Sequence, residues 1–167
     1  MQNICDRRRH AISYASCPTA VVDAPADTVW ALLADPTGWG SVVDMRVASI
    51  DPPGPAVVGQ TVCGKTGLRI FHLKFRMIEI DPDHHRLWME IYLPFDLTVH
   101  EDLRCTTLDD SHCRVDYHCD FSFPQGWRGT LIRVLIGSRL DAGPRDSLSR
   151  HKRAAERHFA GRENGGL

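Results

Sequence analysis

Four stretches in the middle of the chain alternate between apolar and polar residues with a period of two. Between 70 and 78, Phe71, Leu73, Phe75 and Met77 alternate with His72, Lys74 and Arg76. Over 87–93, Leu87, Met89, Ile91 and Leu93 alternate with Trp88, Glu90 and Tyr92. Over 97–105, Leu97, Val99, Glu101 and Leu103 share one parity, and Thr98, His100, Asp102 and Arg104 the other. Over 113–123, Cys113, Val115, Tyr117, Cys119, Phe121 and Phe123 alternate with His112, Arg114, Asp116, His118, Asp120 and Ser122. Side chains of a strand point to opposite faces in turn, so each stretch predicts a strand with one covered face and one wet face. Asp81-Pro82-Asp83, Pro94-Phe95-Asp96 and Asp109-Asp110-Ser111 separate them and carry turn chemistry. Consecutive one-sided strands joined by short turns predict an antiparallel meander.

The flanks add three strands and the helices. Residues 16–23, 45–50 and 59–66 read as strands, which makes the predicted sheet seven-stranded. Asp51-Pro52-Pro53-Gly54-Pro55 between the second and third reads as an irregular loop, because its prolines remove backbone donors. Residues 25–34 read as a helix: Ala26, Val29, Trp30 and Leu33 form one apolar stripe, and Asp27 lies near the positive end of the helix dipole. Asp35-Pro36 ends it, since a residue before proline is pushed out of the helical region. A shorter helix over 36–42 contains Gly38 and Gly40. From 128 to 159 the pattern is again helical, anchored by Leu131, Leu135, Leu148, Ala155 and Phe159, with a kink or break expected at Gly143-Pro144. This long element is the only one able to cover the sheet. Residues 1–15 and 161–167 read as flexible tails around one domain over 16–160.

Composition narrows the function classes. A net charge of −1 carries no basic excess for nucleic acid or an anionic membrane. No segment is long enough to span a bilayer, and no apolar stretch follows Arg7-Arg8-Arg9 as in a signal peptide, so a cytoplasmic location is expected. The six cysteines lack zinc-ligand spacing and read as reduced thiols; no metal or cofactor is predicted. No nucleophile elbow, phosphate loop or dinucleotide fingerprint is present.

Several segments resemble one superfamily: the opening Ala24-Pro25-Ala26-Asp27-Thr28-Val29-Trp30-Ala31-Leu32-Leu33-Ala34-Asp35-Pro36-Thr37-Gly38-Trp39, then Val58-Gly59, Glu79-Ile80-Asp81-Pro82, and a closing helix containing Ser149-Arg150-His151-Lys152-Arg153-Ala154-Ala155-Glu156. Over roughly 16–160 the chain resembles the SRPBCC superfamily of START domains, polyketide cyclases and birch-pollen-allergen-like proteins. The resemblance implies an α+β helix-grip fold, in which the antiparallel sheet curves around the long C-terminal helix and encloses a ligand cavity. It also implies a hydrophobic or aromatic small molecule as partner; for the assembly, monomer and homodimer both stay open. None of these motifs is catalytic, and the fold hosts many functions.

Candidate cavity walls are Phe71, Phe75, Met77, Met89, Ile91, Val99 and Phe121 on the strands, with Leu131 and Leu135 on the helix. Glu101 and Tyr117 share the apolar parity of their strands, where burial without a partner is costly, and are candidate proton-transfer groups. His100 has the opposite parity, but a one-residue bulge would exchange it with Glu101, so it remains a catalytic candidate. Trp127 reads as a cavity plug or as a staple for the helix start, and His151 and His158 as part of a solvated cationic face. Three functions stay open: a cyclase, aromatase or dehydratase; a carrier of lipid, quinone or another metabolite; and an interaction module.

Overall fold

The computed structural model describes residues 13–42, 45–66 and 72–164. Eight strand segments form one antiparallel sheet: β1 (Ser13–Ser16), β2 (Thr19–Val22), β3 (Met45–Asp51), β4 (Thr61–Thr66), β5 (His72–Asp81), β6 (Arg86–Leu93), β7 (Leu97–Thr107) and β8 (Cys113–Ser122). The helices are α1 (Ala26–Leu33), the single turn α2 (Trp39–Val42), α3 (Trp127–Ile136) and α4 (Ala142–Asn164). The sheet runs β1-β8-β7-β6-β5-β4-β3, with β2 also on β8. This is the expected helix-grip order.

The predicted first strand is divided at Cys17-Pro18, because proline cannot donate to the ladder. Its two halves keep one register on β8: Ser16 pairs with Cys119 and Thr19 with Asp116. The eight segments therefore occupy seven tracks. Parts of both expected tails are regular structure: Ser13–Ser16 is paired on β8 and α4 continues to Asn164.

Pairing of β7 with β6 and with β8 is unbroken along its length. On β5, by contrast, the register shifts between Met77 and Glu79, so Ile80 pairs with Leu87 and Glu79 with Trp88. The shift leaves Glu79 where Arg86 reaches it at 3.2 Å while also holding Asp102 at 2.7 Å.

The C-terminal helices break earlier than Gly143-Pro144. A 3-10 turn over Gly137–Arg139 separates α3 from α4, and Pro144 falls in the first turn of α4, where its missing N–H has no helical partner. Leu148 and Ala155 bury one face of α4 in the core. Lys152 Nζ donates to the Val21 carbonyl at 2.7 Å, and Glu156 accepts from the Asp23 N–H at 3.2 Å, tying α4 to β2 and its exit.

The orientation of α3 differs from expectation. Gly129 packs so closely on the Pro124 carbonyl that a Cβ there would collide with it. That contact turns Ile132 and Ile136 toward the core and leaves Leu131, Val134 and Leu135 49%, 75% and 69% exposed. Trp127 neither plugs the cavity nor staples the helix; it is exposed, with the Arg128 guanidinium 5.8 Å from its ring centre.

The proline loop is held by Gln60. This fully buried side chain donates from Nε2 to the carbonyls of Pro52 at 2.7 Å and of Gly54 and Pro55 at 3.2 Å. We expect Gln60→Ala to destabilise the fold by about 2 kcal/mol, since three loop carbonyls lose the one side chain that ties them together and a buried site is emptied, measured as a lowered urea midpoint. A midpoint unchanged from wild type would contradict this role.

Candidate functional site

A cavity of about 290 Å³ lies between the concave face of the sheet and the segment running from Ile136 into α4. Its sheet wall includes Phe75 on β5, Met89 and Ile91 on β6, Val99 on β7 and Phe121 on β8. Leu33 and Trp39 close it from the α1–α2 side. The indole N–H of Trp39 donates to the Leu33 carbonyl at 3.1 Å, satisfying a helix C-terminal acceptor, and its ring meets Phe75 edge-on at 5.5 Å. Ile136, Arg139 and Gly143 also line the cavity, with Arg139 and Gly143 exposed, so its mouth lies at the α3–α4 break.

Glu101 and Tyr117 both line this cavity. The unbroken β7–β8 register, which pairs Glu101 with Cys119 and Leu103 with Tyr117, puts them on the same face. Glu101 is half-buried, and the surface it keeps opens into an apolar cavity rather than bulk water. Burial pushes its carboxyl up to about 7, against hydrogen bonds from Tyr117 and Cys119 that favour the ionised form. The Tyr117 phenol is raised well above its usual value, first by burial and then by the neighbouring carboxylate. At neutral pH, Glu101 is thus a carboxyl able to give or take a proton inside an apolar chamber.

His151 is the polar residue that the sequence reading placed elsewhere. It lines the cavity from α4 instead of joining a solvated face. Its Nδ1 lies 2.8 Å from the Ser147 carbonyl, which can only accept, so Nδ1 carries the proton and Nε2 is the basic nitrogen. Burial lowers its pKa and keeps the ring neutral. A signal was present: His151 falls between Leu148 and Ala155 on the spacing of the buried helix face.

Other expected site residues lie elsewhere. His100 has no place in the cavity; it pairs across the outer face with Glu90 at 3.6 Å, because β7 contains no bulge to turn it inward. Met77 is fully buried in the core just before the β5 register shift and does not line the cavity. Leu131 and Leu135 point away on the exposed side of α3. Phe71 lies outside the described residues.

The sequence from 18 to 156 matches the model of a family described as polyketide cyclase / dehydrase and lipid transport. The chain belongs to this family. Among solved structures, this member of the polyketide cyclase / dehydrase family is similar to a norcoclaurine synthase point mutant from Thalictrum flavum in complex with a transition-state analogue. The two share 12% identity over 90% of this chain and 99% of that one, with a TM-score of 0.67. It is also similar to the Zhui aromatase/cyclase from Streptomyces sp. R1128, at 18% identity over 87% of this chain and 94% of that one, TM-score 0.67. A third similar structure is DynU16, a protein from the dynemicin biosynthetic locus, at 19% identity over 85% of this chain and 47% of that one, TM-score 0.61. At these identities the similarity shows the helix-grip fold. No match is found among curated protein sequences. No helix among the described residues is long and apolar enough to cross a membrane.

The Glu101 environment has a measurable consequence for stability. Above the unfolded value of 4.5 the unfolded chain loses this proton, while the folded chain keeps it up to about 7. The folded state therefore binds more protons in that window, and the contribution of Glu101 to stability falls as pH rises from 4.5 to about 7, by about 3 kcal/mol at most. Glu101→Gln stays neutral throughout. We expect it to exceed wild-type stability at about pH 8 and to match it near pH 4, read from urea midpoints. A constant difference at both pH values would contradict the assignment.

Proposed function

We propose that this protein binds a hydrophobic or aromatic small molecule in the cavity and acts on it as a polyketide cyclase, aromatase or dehydratase. The carrying observation is the Glu101 carboxyl, poised near neutrality beside Tyr117 in a mostly apolar chamber that His151 also lines. A site that only stored hydrocarbon gains nothing from a buried acid that weakens the fold.

The three polar groups suit an aldol cyclisation followed by loss of water. His151 Nε2 takes a proton from a methylene flanked by carbonyls. The resulting enolate carbon attacks a second carbonyl of the same chain, and Glu101 gives its proton to the forming alkoxide. Glu101, now a carboxylate, removes a further proton from the same carbon. The His151 imidazolium then protonates the departing hydroxyl, water leaves, and both residues return to their starting states. Tyr117 orients and stabilises the Glu101 carboxylate by donating to it. The apolar walls hold the substrate folded for attack, an effect that reaches about 7–11 kcal/mol in favourable cases.

The reactive form needs neutral His151 and protonated Glu101. Turnover should rise as pH passes the lowered His151 pKa and fall through about 7 as Glu101 ionises. Glu101→Gln should bind normally and lose turnover by about 100-fold or more. Unchanged product formation from a poly-β-ketone substrate in Glu101→Gln and His151→Gln would refute the catalytic assignment.

A second reading, a non-catalytic carrier of lipid, quinone or another metabolite, draws support from the apolar character of the walls. Both readings require a ligand inside. Gly143 lines the mouth, and a Cβ added there meets only open space, so Gly143→Phe sets a bulky ring at the entrance. Polyketides, lipids or quinones that raise the melting temperature of the wild type should fail to do so in Gly143→Phe, because bound ligand stabilises only the state that holds it. If no compound shifts the wild type, ligand binding itself is excluded for these classes.

A further inference from the structure

On the opposite face of the sheet from the cavity, three side chains form a separate constellation. Cys17 occupies the two-residue gap between β1 and β2. Since Ser16 pairs with Cys119 and Thr19 with Asp116, the constant register sets Cys17 across from His118. The Pro18 carbonyl accepts from the Tyr117 N–H at 3.0 Å and pins the gap to β8. Cys17 Sγ lies 2.9 Å from His118 Nδ1, and His118 Nε2 lies 3.1 Å from Asp120 Oδ2. A carboxylate only accepts, so Asp120 holds the ring proton on Nε2 and leaves the Nδ1 lone pair facing the thiol. Cys17 is exposed, while the His118 side chain is only 18% exposed and so is held in place.

We propose that Cys17, His118 and Asp120 form a nucleophilic thiol site that adds to α,β-unsaturated carbonyl compounds. The proton moves from Sγ to His118 Nδ1, and Asp120 stabilises the imidazolium. The thiolate attacks the β-carbon, an S–C bond forms, and the C=C electron pair shifts onto the carbonyl oxygen as an enolate. The imidazolium returns its proton to the α-carbon. The product is a thioether, with no leaving group and no redox partner. Conjugate addition needs a thiolate and a returning proton, and these three residues supply both.

Charged neighbours on this face are engaged with partners of their own. Across from His118, Asp102 is engaged by Arg86 at 2.7 Å. Opposite Asp120 lies His100, which faces Glu90 at 3.6 Å. Asp116, next along β8 on this face, is held by Arg114 at 3.1 Å. The buried thiols differ: desolvation raises Cys105 to about 12 and Cys113 to about 11, which keeps them protonated.

The test is alkylation of the full-length native protein with N-ethylmaleimide, quantified at Cys17 by peptide mass spectrometry over about pH 5 to 9, with glutathione as reference. A thiol activated by its paired histidine should react about tenfold faster than an ordinary thiol at about pH 6, after allowing for its lower intrinsic nucleophilicity. His118→Gln and Asp120→Asn should slow Cys17 at that pH and move its midpoint toward the ordinary 8.5 or so. Asp120 is on the surface, so Asp120→Asn decides the matter even if His118→Gln fails to fold. A Cys17 profile matching glutathione, or one that neither variant alters, would overturn the proposal.

Discussion

The pairing of β7 with β8 is the constraint on which both faces of this sheet depend. Strand geometry sends alternate residues to opposite sides, so one unbroken register assigns every side chain of the two strands at once. Glu101 and Tyr117 fall on the concave side with Val99 and Phe121, while His118 and Asp120 fall on the convex side. A single inserted residue in β7 would send Glu101 to solvent and His100 into the cavity. β5 does contain such a shift, and there an acid, Glu79, ends on the outer face beside Arg86.

Inside the cavity, polarity and stability oppose each other. Most of the wall is leucine, isoleucine, valine and aromatic side chains, whose burial helps hold the domain together. Against that background one carboxyl, one phenol and one imidazole keep proton-exchanging character, and their protonation states differ because their environments do. Burial raises the carboxyl and phenol and lowers the imidazole, so all three favour their neutral forms. A neutral acid and a neutral base thus face one chamber.

Access to the chamber is set by packing at the other end of the chain. The close approach of Gly129 to Pro124 rotates α3, the 3-10 turn after it places Arg139 at the mouth, and Pro144 starts α4 within its first turn. The links from Lys152 and Glu156 to β2 and its exit then fix α4 over the sheet. The mouth is thus built from small local features, each with a backbone reason.

The alternation of apolar residues was enough to predict the meander, its turns, the helix over 25–34 and a long C-terminal cover, because periods of 2 and 3.6 are local properties of a chain. The same alternation gave Glu101 and Tyr117 their shared inward parity. It failed where rotation, register or distance in sequence decides. On α3 both faces carry apolar residues, and only the Gly129 contact selects Ile132 and Ile136 over Leu131 and Leu135. Met77 has the right parity, but its place in the core beside a register shift keeps it from the cavity. His151 and the Cys17–His118 pair needed the tertiary structure, since each owes its chemistry to a wall or a strand far away along the chain. Periodicity tells which side of an element is covered; what covers it, and with which atoms, is settled only when distant segments pack.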